Sequence, residues 1–453
     1  MMVPRNRLII LFAAVALPCA LTGAVFPAWF EPAMAVMILF VLIAAIDAFL
    51  SRLLFNGVEV EFPRVVRLSR DKKGTIEFRI RNVRGKKMIV RVGLASPDEL
   101  VFENEQFLAE VPADNDYASY SWACTGLARG CFRFERCYLE TASPLRFWSF
   151  RMSPAISMEV RVYPNPAREK KALAALFLNR GLYGVHAHRQ VGQGREFEKL
   201  REYVYGDSYD RISWKATARR RRPVTKVFQI EKTQEVYVVV DASRLSARCL
   251  DESAPEPNLP AGRRPETMLE SFINTALIMG MVARRQGDLF GLLSFDHRVK
   301  SFIKAGSGKA HFNVCRDSLY QLTPQTVNPD YDDLFTFIGQ RLRRRALLIF
   351  LTSLDDPVLA ESFVKKTGLI DHKHLILVNM LKPVGVHGLF SRPAIESLDD
   401  VYKDLGGHIT LHSLLEVRKM LRLRGIHFSI LPHEMFCTEI VSQYMSVKQR
   451  QLI

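Results

Sequence analysis

Two oxygen-bearing side chains follow an uncharged apolar run, in a position where they could hold a cation. Asp241 and Ser243 come just after residues 236–240, a run with the composition of a buried strand. A carboxylate and a hydroxyl are the hard oxygen ligands that Mg²⁺ prefers, but the ion needs a near-complete octahedron of oxygens. The sequence therefore predicts a degenerate site, with a bound Mg²⁺ as the minor alternative to no cofactor at all.

Catalytic motifs are otherwise absent from the sequence. The run from Gly306 to Ala310 resembles a phosphate-binding loop, but that motif needs Gly where Ile303 stands and Ser or Thr where Ala310 stands. Neither the Gly-x-Ser-x-Gly elbow of serine hydrolases nor the His-Glu-x-x-His helix of zinc proteases occurs. We therefore predict no enzymatic activity and keep a metal-dependent hydrolase using Asp241 as an alternative.

The most specific pattern lies between residues 192 and 219, where charged, aromatic and glycine residues alternate densely. It resembles the signature of the bacterial family called domain of unknown function 58, approximately G-x-G-x-E-F-x-x-L-R-x-Y-x-x-G-D-x-x-R-R-I-x-W-x-x-(S/T)-A-R. The matching residues are Gly192, Gly194, Glu196, Phe197, Leu200, Arg201, Tyr203, Gly206, Asp207, Arg211, Ile212, Trp214, Thr217, Ala218 and Arg219. Asp210 replaces the first residue of the family's Arg-Arg pair.

The resemblance implies an architecture and a partner. Members of the family commonly carry two N-terminal membrane spans, a β region and a C-terminal domain similar to von Willebrand factor A. Their genes often lie beside those of MoxR-type AAA+ ATPases, which implies a membrane-anchored adaptor that acts with such an ATPase on a client protein. In the β region, the family's Pro-Leu pair is usually followed by Gly, but here Arg146 follows Pro144 and Leu145.

The resemblance also bears on the predicted cation site. Von Willebrand A domains that bind Mg²⁺ use Asp-x-Ser-x-Ser with a distant Thr and Asp. Asp241 and Ser243 match this pattern, Leu245 replaces the second Ser, and Ser353 stands where the distant Asp is expected. Candidates for the missing oxygens are Asp355, Asp356 and Thr326.

The charged residues of the signature have a structural interpretation. Because buried charges need partners, we predict that Glu196, Arg201, Asp207 and Arg211 pair as a buried ionic network beneath Trp214. Such a network would fix this segment onto the domain that follows. A binding surface is the alternative.

The composition favours a membrane protein in a reducing compartment. The 453 residues carry a formal charge of +16, which suits anionic lipid headgroups better than nucleic acid for a tethered protein. An acidic protein partner is a further possibility. The seven scattered cysteines show no CxxC spacing, which argues against disulfides and structural zinc.

Two apolar runs near the N-terminus, residues 8–26 and 32–50, are each long enough to cross a bilayer. Basic residues precede the first run and follow the second, so the positive-inside rule places both ends in the cytoplasm, at a bacterial inner membrane. Asp47 is predicted to snorkel to the interface. The alternative is a cleaved signal peptide on an exported adhesion module.

Hydrophobic periodicity then predicts a multidomain chain. Residues 1–55 form a two-helix transmembrane hairpin, and residues 56–165 alternate like an antiparallel β-sandwich of about seven strands. Residues 166–233 connect them, through a helical stretch at 167–178, to residues 234–453. In this last part strands and helices alternate, which predicts a Rossmann-like α/β domain of the von Willebrand factor A type.

Overall fold

The computed structural model describes residues 1–55, 57–82, 87–111, 117–167, 169–171, 173–174, 191–192, 196–205, 207–229, 234–250, 265–386, 388 and 398–450. Among these residues, the contacts define one compact unit over Met1–Asn165 and a second over Pro166–Pro255 and Pro265–Ile453. Half of the predicted helical stretch at 167–178 lies outside the described residues, and the described half, at 167, 169–171 and 173–174, is helical.

The first unit begins with two apolar helices, α1 (Asn6–Val25) and α2 (Phe30–Phe55). Within them, Asn6–Val25 and Phe30–Leu50 are long and apolar enough to cross a membrane. Only a 3₁₀ turn, Pro27–Trp29, separates the helices, and Phe12 packs against Phe40 with their ring centroids 6.2 Å apart. The prediction of two apolar N-terminal helices is therefore confirmed, and they can form a hairpin.

Eleven strands follow or flank this hairpin in the described part of the unit. They are β1 (Met2–Pro4), β2 (Val58–Glu61), β3 (Val65–Ser69), β4 (Lys73–Asn82), β5 (Met88–Leu94), β6 (Leu100–Phe102), β7 (Phe107–Val111), β8 (Tyr117–Gly126), β9 (Gly130–Ala142), β10 (Trp148–Met152) and β11 (Ala155–Tyr163). One sheet has the order β2-β4-β8-β6. The other runs β1-β10-β9-β11-β3, with β5 on β9 and β7 on β5.

The two sheets share apolar cores. Strand β4 alternates strictly enough that Ile76, Phe78 and Ile80 are all at most 1% exposed. Phe78 packs with Val90 and Val92 of the other sheet, and Ile76 packs with Val160. The predicted number of about seven strands was too low, because short strands do not show the period-two pattern. The predicted antiparallel pairing was wrong at one place, since β3 pairs with β11 in parallel.

The N-terminal residues join the sheet and hold the hairpin against it. Met2–Pro4 pairs antiparallel with Trp148–Phe150, and the indole N–H of Trp148 donates to the carbonyl of Ala44 at 2.9 Å. Asp47 is only 2% exposed, and its carboxylate accepts the backbone N–H of Leu145 at 3.1 Å. The prediction that Asp47 snorkels to the interface is therefore wrong, since this carboxylate binds the loop between β9 and β10.

Besides the helical residues at 167, 169–171 and 173–174, the second unit contains two sheets and seven helices in its described residues. The strands are β12 (Val191–Gly192), β13 (Glu196–Glu202), β14 (Val224–Gln229), β15 (Glu235–Asp241), β16 (Leu289–Phe295), β17 (Val299–Gly306), β18 (Leu347–Leu351), β19 (Leu375–Leu381) and β20 (His427–Leu431). The helices are α3 (Trp214–Arg220), α4 (Met268–Arg285), α5 (Gly308–Leu319), α6 (Tyr331–Arg341), α7 (Pro357–Thr367), α8 (Leu398–Leu423) and α9 (His433–Gln449).

The larger sheet has the order β17-β16-β15-β18-β19-β20 and is parallel except for β17. Side chains of β15 alternate between two cores: Val238 packs with α4 and α9, and Val239 packs with α6 and α7. Both faces are thus covered, as uncharged parallel strands require. The expected sheet-rich α/β body is confirmed. In the sequence, polar positions obscure the hydrophobic periods of β17, α5 and α8.

Candidate functional site

Asp241 ends the central strand β15 at the carboxyl edge of the parallel sheet, where open α/β sheets bind ligands. Its side chain is fully buried, and each oxygen accepts a hydrogen bond. Oδ1 accepts the backbone N–H of Ser243 at 2.8 Å, and Oδ2 accepts the hydroxyl of Thr352 at 2.6 Å. Burial raises the pKa of Asp241, and these hydrogen bonds partly oppose that rise. The carboxylate therefore has a structural role that ties β15 to the end of β18.

The side chains around Asp241 do not fit an octahedral cation site. Leu245, in the position of the second serine, is fully buried and offers no oxygen. The hydroxyl of Ser353 points at the sulfur of Met268, 3.7 Å away. Thr326 is exposed, and no group of three or more His, Cys, Asp or Glu side chains that could hold a metal occurs among the described residues. Of the positions expected to complete the site, Leu245 and Ser353 therefore contribute no oxygen to Asp241.

Two ion pairs occupy the rim of this edge. Arg244 bonds Asp356 at 3.3 Å, and Arg248 pairs with Asp355. The two aspartates that could have completed a cation site are thereby neutralised by guanidinium groups. Asp356 also caps α7, since it accepts the N–H of Val358 at 3.1 Å.

Sequence reasoning missed a second buried carboxylate at the same edge. Asp296 follows β16 directly and is fully buried, with Lys300 Nζ at 2.9 Å and His297 Nδ1 at 3.0 Å. Burial acts to raise the pKa of Asp296, but the hydrogen bonds from Lys300 and the Arg298 backbone N–H, together with the charges of Lys300 and His297, outweigh it and lower the pKa below its ordinary value. Its place after a buried strand, like that of Asp241, was the signal that could have found it.

The signature residues lie on a small three-stranded sheet of order β12-β14-β13 and on the turn and helix that follow β13. Gly192 belongs to β12, and Glu196, Phe197, Leu200 and Arg201 belong to β13. Gly194 and Gly206 lie outside the described residues, and only the backbone is described for Gly192, Glu196 and Phe197. Trp214, Ala218 and Arg219 lie on α3.

One charged pair fixes the turn between β13 and α3. Arg201 Nη2 bonds Asp207 Oδ1 at 2.7 Å, and Asp207 Oδ2 accepts the backbone N–H of Val204 at 3.1 Å. The backbone hydrogen bond and the nearby guanidinium lower the pKa of Asp207. Tyr203 stacks on Tyr209, with ring centroids 6.2 Å apart. The turn is therefore held by local contacts of the signature residues themselves.

The predicted burial of this segment is wrong. Trp214 is 70% exposed, Tyr209 is 75% exposed and Tyr205 is fully exposed. The guanidinium of Arg201 is 44% exposed, so its ion pair lies at the surface rather than beneath Trp214. The physical reason is that antiparallel pairing of β13 with β14 satisfies the backbone hydrogen bonds of these strands. The turn and α3 are then left exposed to solvent.

These exposed residues form what we call the signature surface: Tyr205, Tyr209, Trp214 and the basic run Arg219–Arg222. Within the run, Arg222 bonds Glu202 at 3.2 Å. Arg221 has φ +54°, which ends α3 in a left-handed residue. Aromatic rings and guanidinium groups together in solvent are able to bind a protein partner.

Comparison with known proteins gives a match to one family model and no activity. The family model described as "Protein of unknown function DUF58" matches residues 199–386, which cover part of the signature and the first five strands of the larger sheet. No curated protein matches the chain. A crystal structure of a protein of unknown function from Porphyromonas gingivalis W83 is 13% identical, with a TM-score of 0.17. That match covers 33% of this chain and 57% of the other.

Proposed function

We propose that this protein is a membrane-anchored adaptor that binds a MoxR-type AAA+ ATPase and a client protein, and that it performs no catalysis itself. The observation that carries the proposal is the signature surface. Three aromatic side chains of one short segment are 70% or more exposed there. The partner class comes from the family resemblance, and the adaptor role comes from the chemistry of this surface.

Exposed aromatic residues beside arginines are typical of binding hot spots. Tyr, Trp and Arg dominate the energetics of protein interfaces because they bury large areas and keep a polar tip. Here the Arg201–Asp207 bond preorganises the turn that carries Tyr205 and Tyr209. A preorganised surface loses less conformational freedom on binding and therefore binds more tightly.

The first unit supports the membrane part of the proposal. Because β1 precedes α1 and pairs with β10, the N-terminus and the β-sandwich lie on the same side of any bilayer that the hairpin crosses. Arg5 and Arg7 lie next to the start of α1 on that side. By the positive-inside rule this is the cytoplasmic side of the inner membrane, where an ATPase can reach the chain.

We further propose that the second unit is of the von Willebrand factor A type, acting without a metal. The support is a parallel sheet with one antiparallel edge strand and a buried aspartate at its carboxyl edge. Arg244 and Arg248 neutralise the acidic rim in place of a cation. This arrangement argues against the metal-dependent hydrolase.

The experiment is co-purification of the full-length chain from mild detergent, with the genomic MoxR-type ATPase quantified by mass spectrometry. Trp214→Ala combined with Tyr209→Ala should lower recovery of the ATPase at least about tenfold, since a lost hot spot weakens binding by that order. Tyr138→Ala is the matched control, because Tyr138 is 50% exposed in the first unit. Absence of the ATPase, or equal recovery with all variants, would overturn the proposal.

The side of the membrane is tested separately. Tyr205→Cys, in a Cys249→Ser background, places a thiol at a fully exposed position. Membrane-impermeant maleimide should label it only after intact spheroplasts are lysed. Labelling before lysis would place the second unit outside the cytoplasm and exclude a cytoplasmic ATPase as partner.

A further inference from the structure

Helix α8 carries a second apolar face in addition to the one that packs on the sheet. Leu414, Val417 and Leu421 face the core and are at most 6% exposed. The apolar residues that project to the other side have exposed fractions between 41% and 81%: Val401, Tyr402, Leu405, Ile409, Met420 and Leu423. Soluble surfaces rarely carry so many exposed apolar residues on one helix face without a partner.

These exposed residues form one stripe along the helix. Val401, Leu405 and Ile409 follow at intervals of four, and Met420 and Leu423 continue the same face further along. His412 and Glu416 lie in the middle of the stripe and pair with each other at 3.8 Å.

The charges of α8 are polarised along its length. Residues 398–410 carry three Asp and one Lys, a net charge of −2. Residues 411–423 carry two Arg, one Lys and one Glu, a net charge of +2. These charges also complement the dipole of the helix itself. Two such helices side by side attract when they run in opposite directions and repel when they run in the same direction.

We propose that α8 pairs antiparallel with α8 of a second copy of this chain. This pairing is a two-fold, self-complementary interface of the kind that most soluble homodimers use. It covers the apolar stripe and brings the acidic half of each helix beside the basic half of the other. Two helices of 26 residues overlap over about 39 Å. The inference stands apart from the proposed function, since the signature surface contributes nothing to it.

The symmetry of the stripe sets the register. When Val401 lies opposite Met420 of the other copy, Leu405 lies opposite Glu416, and Ile409 lies opposite His412. In the same register Tyr402 lies opposite Lys419, and Leu423 lies opposite Leu398. Val401 of one copy and Val401 of the other are separated by 19 positions, which is about 28 Å along the axis.

Disulfide crosslinking in the full-length chain tests the direction of the pairing. Two differently tagged copies, one with Val401→Cys and one with Met420→Cys, are co-expressed in a Cys249→Ser background and oxidised in membranes. We expect a crosslink between the two tags. Copies that both carry Val401→Cys should not crosslink and serve as the matched control. A crosslink in the control, or none between 401 and 420, would overturn the proposal.

Oligomeric state provides the second test. Mass photometry of the full-length chain in detergent should show a dimer, and Ile409→Asp should raise its dissociation constant at least tenfold. Ile409 is 58% exposed, so the substitution leaves the fold of the monomer intact. Val314→Asp on α5, at a site 55% exposed, should leave the dimer unchanged. A monomer at micromolar concentration would overturn the proposal. This holds even if α8 then binds a lipid or another protein.

Discussion

Replacing Thr352 by Val should destabilise the second unit, because it removes a hydrogen bond donated to a buried carboxylate. The hydroxyl of Thr352 lies 2.6 Å from Asp241 Oδ2, and neither residue is exposed. Val has nearly the same shape, so the change removes a donor without creating a cavity. Hydrogen bonds to charged groups contribute about 1.5–3 kcal/mol, and a buried oxygen left without its donor costs a similar amount. We therefore expect the free energy of unfolding to fall by about 2–3 kcal/mol.

The loss should depend on pH in a defined direction. Burial already raises the pKa of Asp241 above its ordinary value of 3.8, and the Thr352 hydroxyl opposes that rise. Without the hydroxyl, the folded-state pKa rises further, so the folded state binds more protons than the unfolded state over a wider range. Stability then decreases as pH rises through that range. The deficit of Thr352→Val should be smallest below pH 3.8 and largest near neutrality.

Hydrogen exchange measured by mass spectrometry isolates this effect within the full-length chain. Peptides covering β15 and β18 report the local free energy of opening in the second unit without a contribution from the first. Ser353→Ala is the matched control, because Ser353 is also buried but its hydroxyl points at the thioether sulfur of Met268. It should cost less than about 1 kcal/mol.

Two results would refute this reasoning. One is an equal loss of stability in Thr352→Val and Ser353→Ala. The other is a Thr352→Val deficit that stays constant between pH 4 and pH 8. If millimolar Mg²⁺ stabilised the wild-type chain and not the Thr352 variant, the conclusion that this edge does not fit a cation would also fail.

Three further outcomes are expected. Arg146→Gly should stabilise the first unit by about 0.5–1 kcal/mol, seen as a higher Tm, because Arg146 has φ +59° and only glycine adopts that region without strain. Trp148→Phe should lose the bond to the Ala44 carbonyl, cost about 1 kcal/mol and speed hydrogen exchange in β10. Burial lowers the pKa of His374 from 6.5 to about 4, so wild-type stability should fall as pH drops from 6.5 towards 4. In urea titrations at several pH values, His374→Leu should remove roughly 1–3 kcal/mol of that acid-induced loss of stability. The same dependence of the free energy of unfolding on pH in both chains would contradict it.

The deviation at Arg146 connects a sequence pattern with a backbone requirement. The family pattern usually has Gly after Pro-Leu, and here the structure shows a left-handed residue at that position. The loop that contains it supplies the Leu145 N–H bound by Asp47. The sequence shows that Arg replaces the usual Gly. Only the backbone angle shows that this replacement places a non-glycine residue in the strained left-handed region.

The sequence by itself determined the elements whose hydrophobic period is strong. Apolar runs of about 20 residues, the second with a single charge at Asp47, produced α1 and α2, since a helix satisfies their backbone in an apolar environment. Unbroken apolar runs produced β15, β18 and β19. The signature was likewise visible in the sequence as a dense, long pattern. These features depend on neighbours within a few positions, so they can be predicted from the sequence alone.

Only the tertiary structure decided the contacts between distant positions. Thr352 meets Asp241 across 111 residues, and Leu145 meets Asp47 across 98. The sequence suggested a partly formed cation site and a snorkelling carboxylate because each acid was considered without its distant donor. The signature showed the same limit, since β13–β14 pairing turns Trp214 outward. Burial and partner choice arise from how elements pack, and local spacing does not encode that packing.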